Sequence, residues 1–269
     1  MKKILTLGLA FVFVTAQSSF GGQAPLKTGL QNLPGTLPAE ENGASLNFDL
    51  SKEMFYISMP SGSSASQPLG LLIFISPSDE CTEVPQGWTS VLMKNRLIFI
   101  APQKAGNKQP VSRRAGLAVL AAKTLPEMTK IDTNRVYVAG FSGGARMASY
   151  SAFLRPSLFS GAFCVCGVDF PGKVPRVKAT KEDDYGYFSL GEQEIAEAKQ
   201  RVKFVVVTGS KDFRYNNIMD IYTGGFHKDH YTVKLIDVPG MDHTICPPKA
   251  LSDGISFMDM KMPRAPVGR

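Results

Sequence analysis

Histidine is scarce in this chain: there are three in 269 residues, at positions 227, 230 and 243. A metal centre therefore has little imidazole to draw on. The Cys164-x-Cys166 pair lies in an apolar run with no histidine near it, so no bound metal is expected. Long apolar runs are also missing. Beyond the first 16 residues no segment approaches the roughly 20 apolar residues needed to cross a bilayer, and no membrane span is expected. The densest basic stretch, KAGNKQPVSRR (104–114), contains no aromatic residue on which a nucleic-acid base could stack. The net charge of +7 is spread along the chain and is read as a solubility feature rather than a nucleic-acid footprint. No internal repeat and no second hydrophobic core is visible, which leaves one domain.

What is present begins with Lys2 and Lys3 followed by the apolar run ILTLGLAFVFVTA, ending in the small residues of Val14-Thr15-Ala16. That pattern predicts a signal peptide over residues 1–16 and a secreted or periplasmic product. Residues 17–45 are polar and rich in Gly and Pro, as expected of an extended leader or linker. Residues 46–269 carry the folded domain. Within it, short continuous apolar runs alternate with helical patterns: LGLLIFIS, RLIFIAPQ, RVYVAGFS, FSGAFCVCGVDF, VKFVVVTGS and YTVKLIDVPG read as strands. GWTSVLMKNR, RRAGLAVLAAKTLPEM, GGARMASYSAFLR, GEQEIAEAKQR, NNIMDIYTGGF and PPKALSDGISFMDM read as helices, with Pro126 a stop or kink. Strands alternating with helices predict an α/β fold with a mostly parallel sheet and helices on both faces.

In such a sheet, chemistry gathers at the carboxyl ends of the strands. Gly140-Phe141-Ser142-Gly143-Gly144 sits at one of these ends, between a strand and a helix. Gly-x-Ser-x-Gly there is a nucleophile elbow: small neighbours let the chain turn sharply and leave the Ser142 hydroxyl exposed. The backbone N–H of Gly143 is a candidate oxyanion donor. A serine needs a base. His227 and His230 precede the last strand, at its amino end, whereas His243 follows it on the same edge as Ser142. Asp212, just past VKFVVVTGS, is the preferred carboxylate, because the chain order Ser, Asp, His then puts the acid on the next-to-last strand. Asp169 preserves that order too and stays open as the competitor. A second oxyanion donor is expected from the loop after LLIFI, through the N–H of Ser76, Ser78 or Asp79; Pro77 has none. Trp88, Phe141 and Tyr187 are candidates for substrate contact, with Tyr185 and Phe188 beside the last.

The stretches DTNRVYVAGFSGGARMAS, TGSKD and PGMDH resemble the nucleophile, acid and histidine segments of the secreted polyhydroxybutyrate-depolymerase and feruloyl-esterase-like group of α/β-hydrolases. The resemblance covers roughly Leu69 to Met260. Where that group carries His-Gly after the early strand, this chain has Ser76-Pro77. The resemblance implies a single-domain α/β-hydrolase fold and hydrolysis of a small or oligomeric carboxylic ester through an acyl-enzyme, without a cofactor. It implies Ser142 as nucleophile, Asp212 as acid, His243 as base and Gly143 as oxyanion donor. A peptidase or acyltransferase using the same triad, or a non-catalytic binding protein on this scaffold, are the alternatives. Four cysteines, at 81, 164, 166 and 246, suit an oxidising compartment and permit three full pairings. Cys164 and Cys166 are expected to share one side of a strand. Cys246, close to His243, is expected to bond to one of them.

Overall fold

The computed structural model describes residues 26–34, 52–61, 67–174 and 187–262, with Tyr187 described by its backbone alone. The expected signal peptide, most of the expected leader and Tyr185 lie outside the described residues. Eight strands form the main sheet: β1 (Gly29–Asn32), β2 (Met54–Ser58), β3 (Leu69–Ile75), β4 (Leu97–Pro102), β5 (Ile131–Phe141), β6 (Gly161–Val165), β9 (Lys203–Gly209) and β10 (Val233–Val238). Their order is β1-β2-β4-β3-β5-β6-β9-β10. The β1–β2 and β2–β4 pairs are antiparallel, and every later pair is parallel. Two residues each from β7 (Phe170–Pro171) and β8 (Tyr187–Phe188) form a separate parallel ribbon.

The continuous apolar runs have a simple cause. In β3, Leu69, Leu71, Ile73 and Ile75 enter one core layer, while Leu72 and Phe74 enter the other. A parallel strand covered on both faces has no solvent side, so the period-2 alternation of polarity disappears. Helices α2 (Val111–Met128), α3 (Gly143–Leu154), α4 (Glu192–Arg201) and α5 (Tyr215–Ile221) supply the first layer. Helices α1 (Trp88–Lys94) and α6 (Pro248–Met258) supply the second. Pro126 lies inside α2, two residues before its end, where the missing N–H removes one bond and the helix finishes its last turn regardless.

Two features depart from the sequence-based outline. The sheet begins at Gly29, inside the stretch expected to be a linker, and Leu33 just beyond it is fully buried. After α5 the chain widens into a π-helical stretch, Tyr222–His227, rather than continuing as an α-helix.

Candidate active site

Strand β5 ends at Phe141, and Ser142 follows with φ 55° and ψ −122°. A left-handed φ on a residue with a side chain costs about 1–3 kcal/mol and persists only where its surroundings impose it. Here they do. The Ser142 N–H donates to Val165 O (2.8 Å), while Ala145 and Arg146 donate back to Ser142 O (3.0 and 3.2 Å). A Cβ on Gly140 would strike the Gly144 backbone, and one on Gly144 would strike Ile75 O. Only hydrogen fits at either position, because α3 starts directly against the end of β3. Gly143 is the first residue of α3, so its N–H has no acceptor one turn earlier. The Asn107 side chain packs against it, where a Cβ would collide.

Three distant side chains meet beside this turn. His243 Nε2 lies 2.8 Å from Ser142 Oγ, and His243 Nδ1 lies 2.8 Å from Asp212 Oδ1. The Asp212 carboxylate is completely buried. It also accepts hydrogen bonds from the Thr208 hydroxyl (3.1 Å) and the Arg214 N–H (3.0 Å), which hold it square to the imidazole. Phe141 and Phe213 flank the His243 ring at centroid distances of 5.1 and 4.4 Å. The loop carrying His243 is pinned on both sides: Cys166 Sγ donates towards Asp242 O and Thr244 O (3.8 and 3.4 Å), and Trp88 Nε1 donates to Cys246 O (3.0 Å).

Asp169, the competing acid, is engaged elsewhere. It accepts from Arg146 Nε at 2.6 Å, and its own N–H donates to Ser149 Oγ. Burial raises its pKa, with the Arg146 cation opposing. His227 and His230 stay before β10, at its amino end.

Other expectations meet a different outcome. Trp88 is fully buried between Phe74 and Phe163, so it packs α1 onto the sheet and does not face substrate. The side chain of Tyr187 lies outside what is described, whereas Phe188 lines a cavity beside Gly143. In the loop after β3, the Ser78 N–H donates to Ser76 Oγ (3.0 Å). Ser78 must therefore leave that bond before it can serve an oxyanion. Asp79 is turned towards the following loop, where its carboxylate accepts from the Gly106 N–H (3.0 Å) and Gln109 Nε2 (3.2 Å).

All four cysteines carry free thiols. The expected shared side for Cys164 and Cys166 fails because Cys166 lies just past β6 at φ 55°, which breaks the strand's alternation. Cys164 faces the layer of α2 and α3. Cys166 and Cys246 face the layer of α1 and α6, so a Cys246–Cys164 bond would have to pass through the sheet. Burial, reinforced by Asp212, pushes the Cys166 thiol upward in pKa and keeps it protonated. Among the described residues, one group of possible metal ligands is Cys166, Asp212 and His243. There the carboxylate and the imidazole are already hydrogen-bonded to each other.

The sequence reading missed Phe213, Asn107 and the arginines at 114, 146 and 214. Phe213 had one available signal, its place directly after Asp212 at a strand end. The arginines come from three separate elements, and no spacing links them.

No protein-family model matches the chain, and no curated protein does. Solved structures do resemble it. An arylesterase shares 11% identity at a TM-score of 0.57, over 90% of this chain and 88% of its own. The CE1 ferulic acid esterase AmCE1/Fae1A of the anaerobic fungus Anaeromyces mucronatus shares 17% at 0.54, over 77% and 83%. LpqC, a poly(3-hydroxybutyrate) depolymerase of Bordetella parapertussis, shares 15% at 0.51, over 79% and 86%. At these identities the likeness defines the fold. The chain has the α/β-hydrolase fold, in one domain.

Proposed function

We propose that this protein hydrolyses carboxylic esters through an acyl-enzyme on Ser142. One observation carries the reading: a strained serine at a strand-to-helix turn lies 2.8 Å from an imidazole whose other nitrogen lies 2.8 Å from a buried carboxylate. In this reading His243 Nε2 takes the Ser142 proton as Oγ attacks the ester carbonyl. Asp212 accepts the Nδ1–H, holds the ring in the required tautomer and stabilises the imidazolium. The Gly143 N–H, reinforced by the positive end of the α3 dipole, receives the oxyanion, and the loop after β3 supplies the second donor through Ser76 or Ser78. His243 then returns its proton to the leaving alcohol. A water activated by the same imidazole releases the acid.

The resemblance of the sequence and the esterases among the similar structures support ester over amide chemistry. Steady-state hydrolysis of 4-nitrophenyl butyrate is the test. Ser142→Ala is expected to lower kcat by about 10⁶ with an unchanged circular dichroism spectrum. Undiminished hydrolysis in that variant contradicts the assignment. We also assign the protein to a compartment outside the cytoplasm, on the strength of Lys2, Lys3 and the apolar run to Ala16. N-terminal sequencing of the mature chain is expected to begin near Gln17, and an intact Met1 in the mature protein opposes the idea.

A further inference from the structure

In the loop after β3, Pro77 has no N–H to offer an oxyanion, and the Ser78 N–H is already given to Ser76 Oγ (3.0 Å). The loop between β4 and α2 brings a side-chain amide to the same place. Asn107 and Gly143 line one cavity of about 490 Å³, with Arg114, Arg146 and Arg214 on its wall. A Cβ on Gly143 would strike Asn107 Oδ1 and lie 3.0 Å from its Nδ2. A residue's N and Cβ are held about 2.5 Å apart by their shared Cα. The Gly143 N–H and the Asn107 amide nitrogen are therefore within about 5.5 Å of each other, so one oxygen can sit about 2.9 Å from both.

The amide is held with its nitrogen as the available end. Arg114 donates to Asn107 Oδ1 (3.1 Å), and a guanidinium accepts no hydrogen bond, so the amide oxygen has to face it. The NH₂ group is left at the other end, and among the described residues it donates to none. Arg114 is itself fixed: it is buried, and its Nε donates to Ala105 O (2.7 Å). The backbone of the Asn107 loop is tied to the loop after β3. The Asn107 N–H donates to Pro77 O (2.8 Å) and the Lys104 N–H to Asp79 O (2.5 Å). The Asp79 carboxylate accepts from the Gly106 N–H (3.0 Å) and Gln109 Nε2 (3.2 Å), which makes it a brace for the loop that carries Asn107. A Cβ on Gly106 would strike the backbone of Ser78 and Asp79, so the two loops are in direct contact. A donor held in position before the reaction needs no reorganisation as the negative charge develops.

We propose that Asn107 Nδ2 donates to the oxyanion beside the Gly143 N–H, which makes Asn107 a catalytic residue of the acyl-transfer steps. The proposal rests on the esterase reading, and its test separates the two. Two variants are compared with the wild-type protein on 4-nitrophenyl butyrate. Asn107→Ala removes both ends of the amide. Asn107→Asp removes the donor but keeps an oxygen for Arg114, so it rescues a role that is only structural. Both are expected to lower kcat by about 10²–10³ with little change in KM. Both are also expected to weaken inhibition by trifluoroacetophenone by a similar factor, because its hemiketal with Ser142 carries the same oxyanion. Wild-type kcat in either variant overturns the proposal and leaves the esterase reading standing. A fall in kcat with unchanged inhibition by the ketone overturns it as well. Absence of hydrolysis by the wild-type protein refutes both.

Discussion

The choice between Asp212 and Asp169 turns on what each carboxylate already touches. Asp212 is fully buried and bonded to the imidazole, whereas Asp169 is held by Arg146. Asp212→Asn should keep the geometry but favour the wrong imidazole tautomer, lowering kcat by about 10⁴. Asp169→Asn should lower kcat on a neutral ester by no more than about tenfold, and kinetics of the two variants side by side provide the check. The reverse ranking would reassign the acid. At this scale the meeting of Ser142, His243 and Asp212 was legible because each follows a strand end that the sequence marks with an apolar run. Trp88 was misjudged because nearness in sequence to the loop after β3 says nothing about which way α1 turns it. Cys166 was misjudged because strand alternation was extended one residue beyond the strand, into a left-handed φ.

Among the elements, the β5–α3 junction bears the tightest constraint. The start of α3 lies so close to the end of β3 that a methyl group at Gly144 would meet a backbone oxygen, which has no rotamer by which to escape. Gly144→Ala is therefore expected to cost about 3 kcal/mol, a fall of roughly 10 °C in Tm for a domain of this size, measured by scanning calorimetry. An unchanged Tm would mean that the helix does not abut the strand. The glycines of this motif were readable from sequence as a sharp turn. That Gly144 answers to β3, and Gly143 to the side chain of Asn107, depends on contacts between segments far apart in the chain.

For the molecule as a whole, the parallel sheet and its two helical layers were visible in the alternation of apolar runs with amphipathic patterns. Strand β1 was not. GLQN has little apolar character and joins the sheet at an edge, through backbone pairing with β2, so hydrophobic patterning carries no trace of it. The arginine-lined cavity was hidden for a related reason: α2, α3 and the start of α5 contribute one cation each, and only the fold brings them together. The same assembly places Ser142, Asp212 and His243 at the carboxyl edge of β5, β9 and β10, and that meeting is the central claim. Its most direct test is the intact mass of the protein after exposure to a fluorophosphonate, followed by peptide mapping. One adduct per chain on Ser142, lost in His243→Ala, is the predicted result. No adduct, or one on a different residue, would contradict the account.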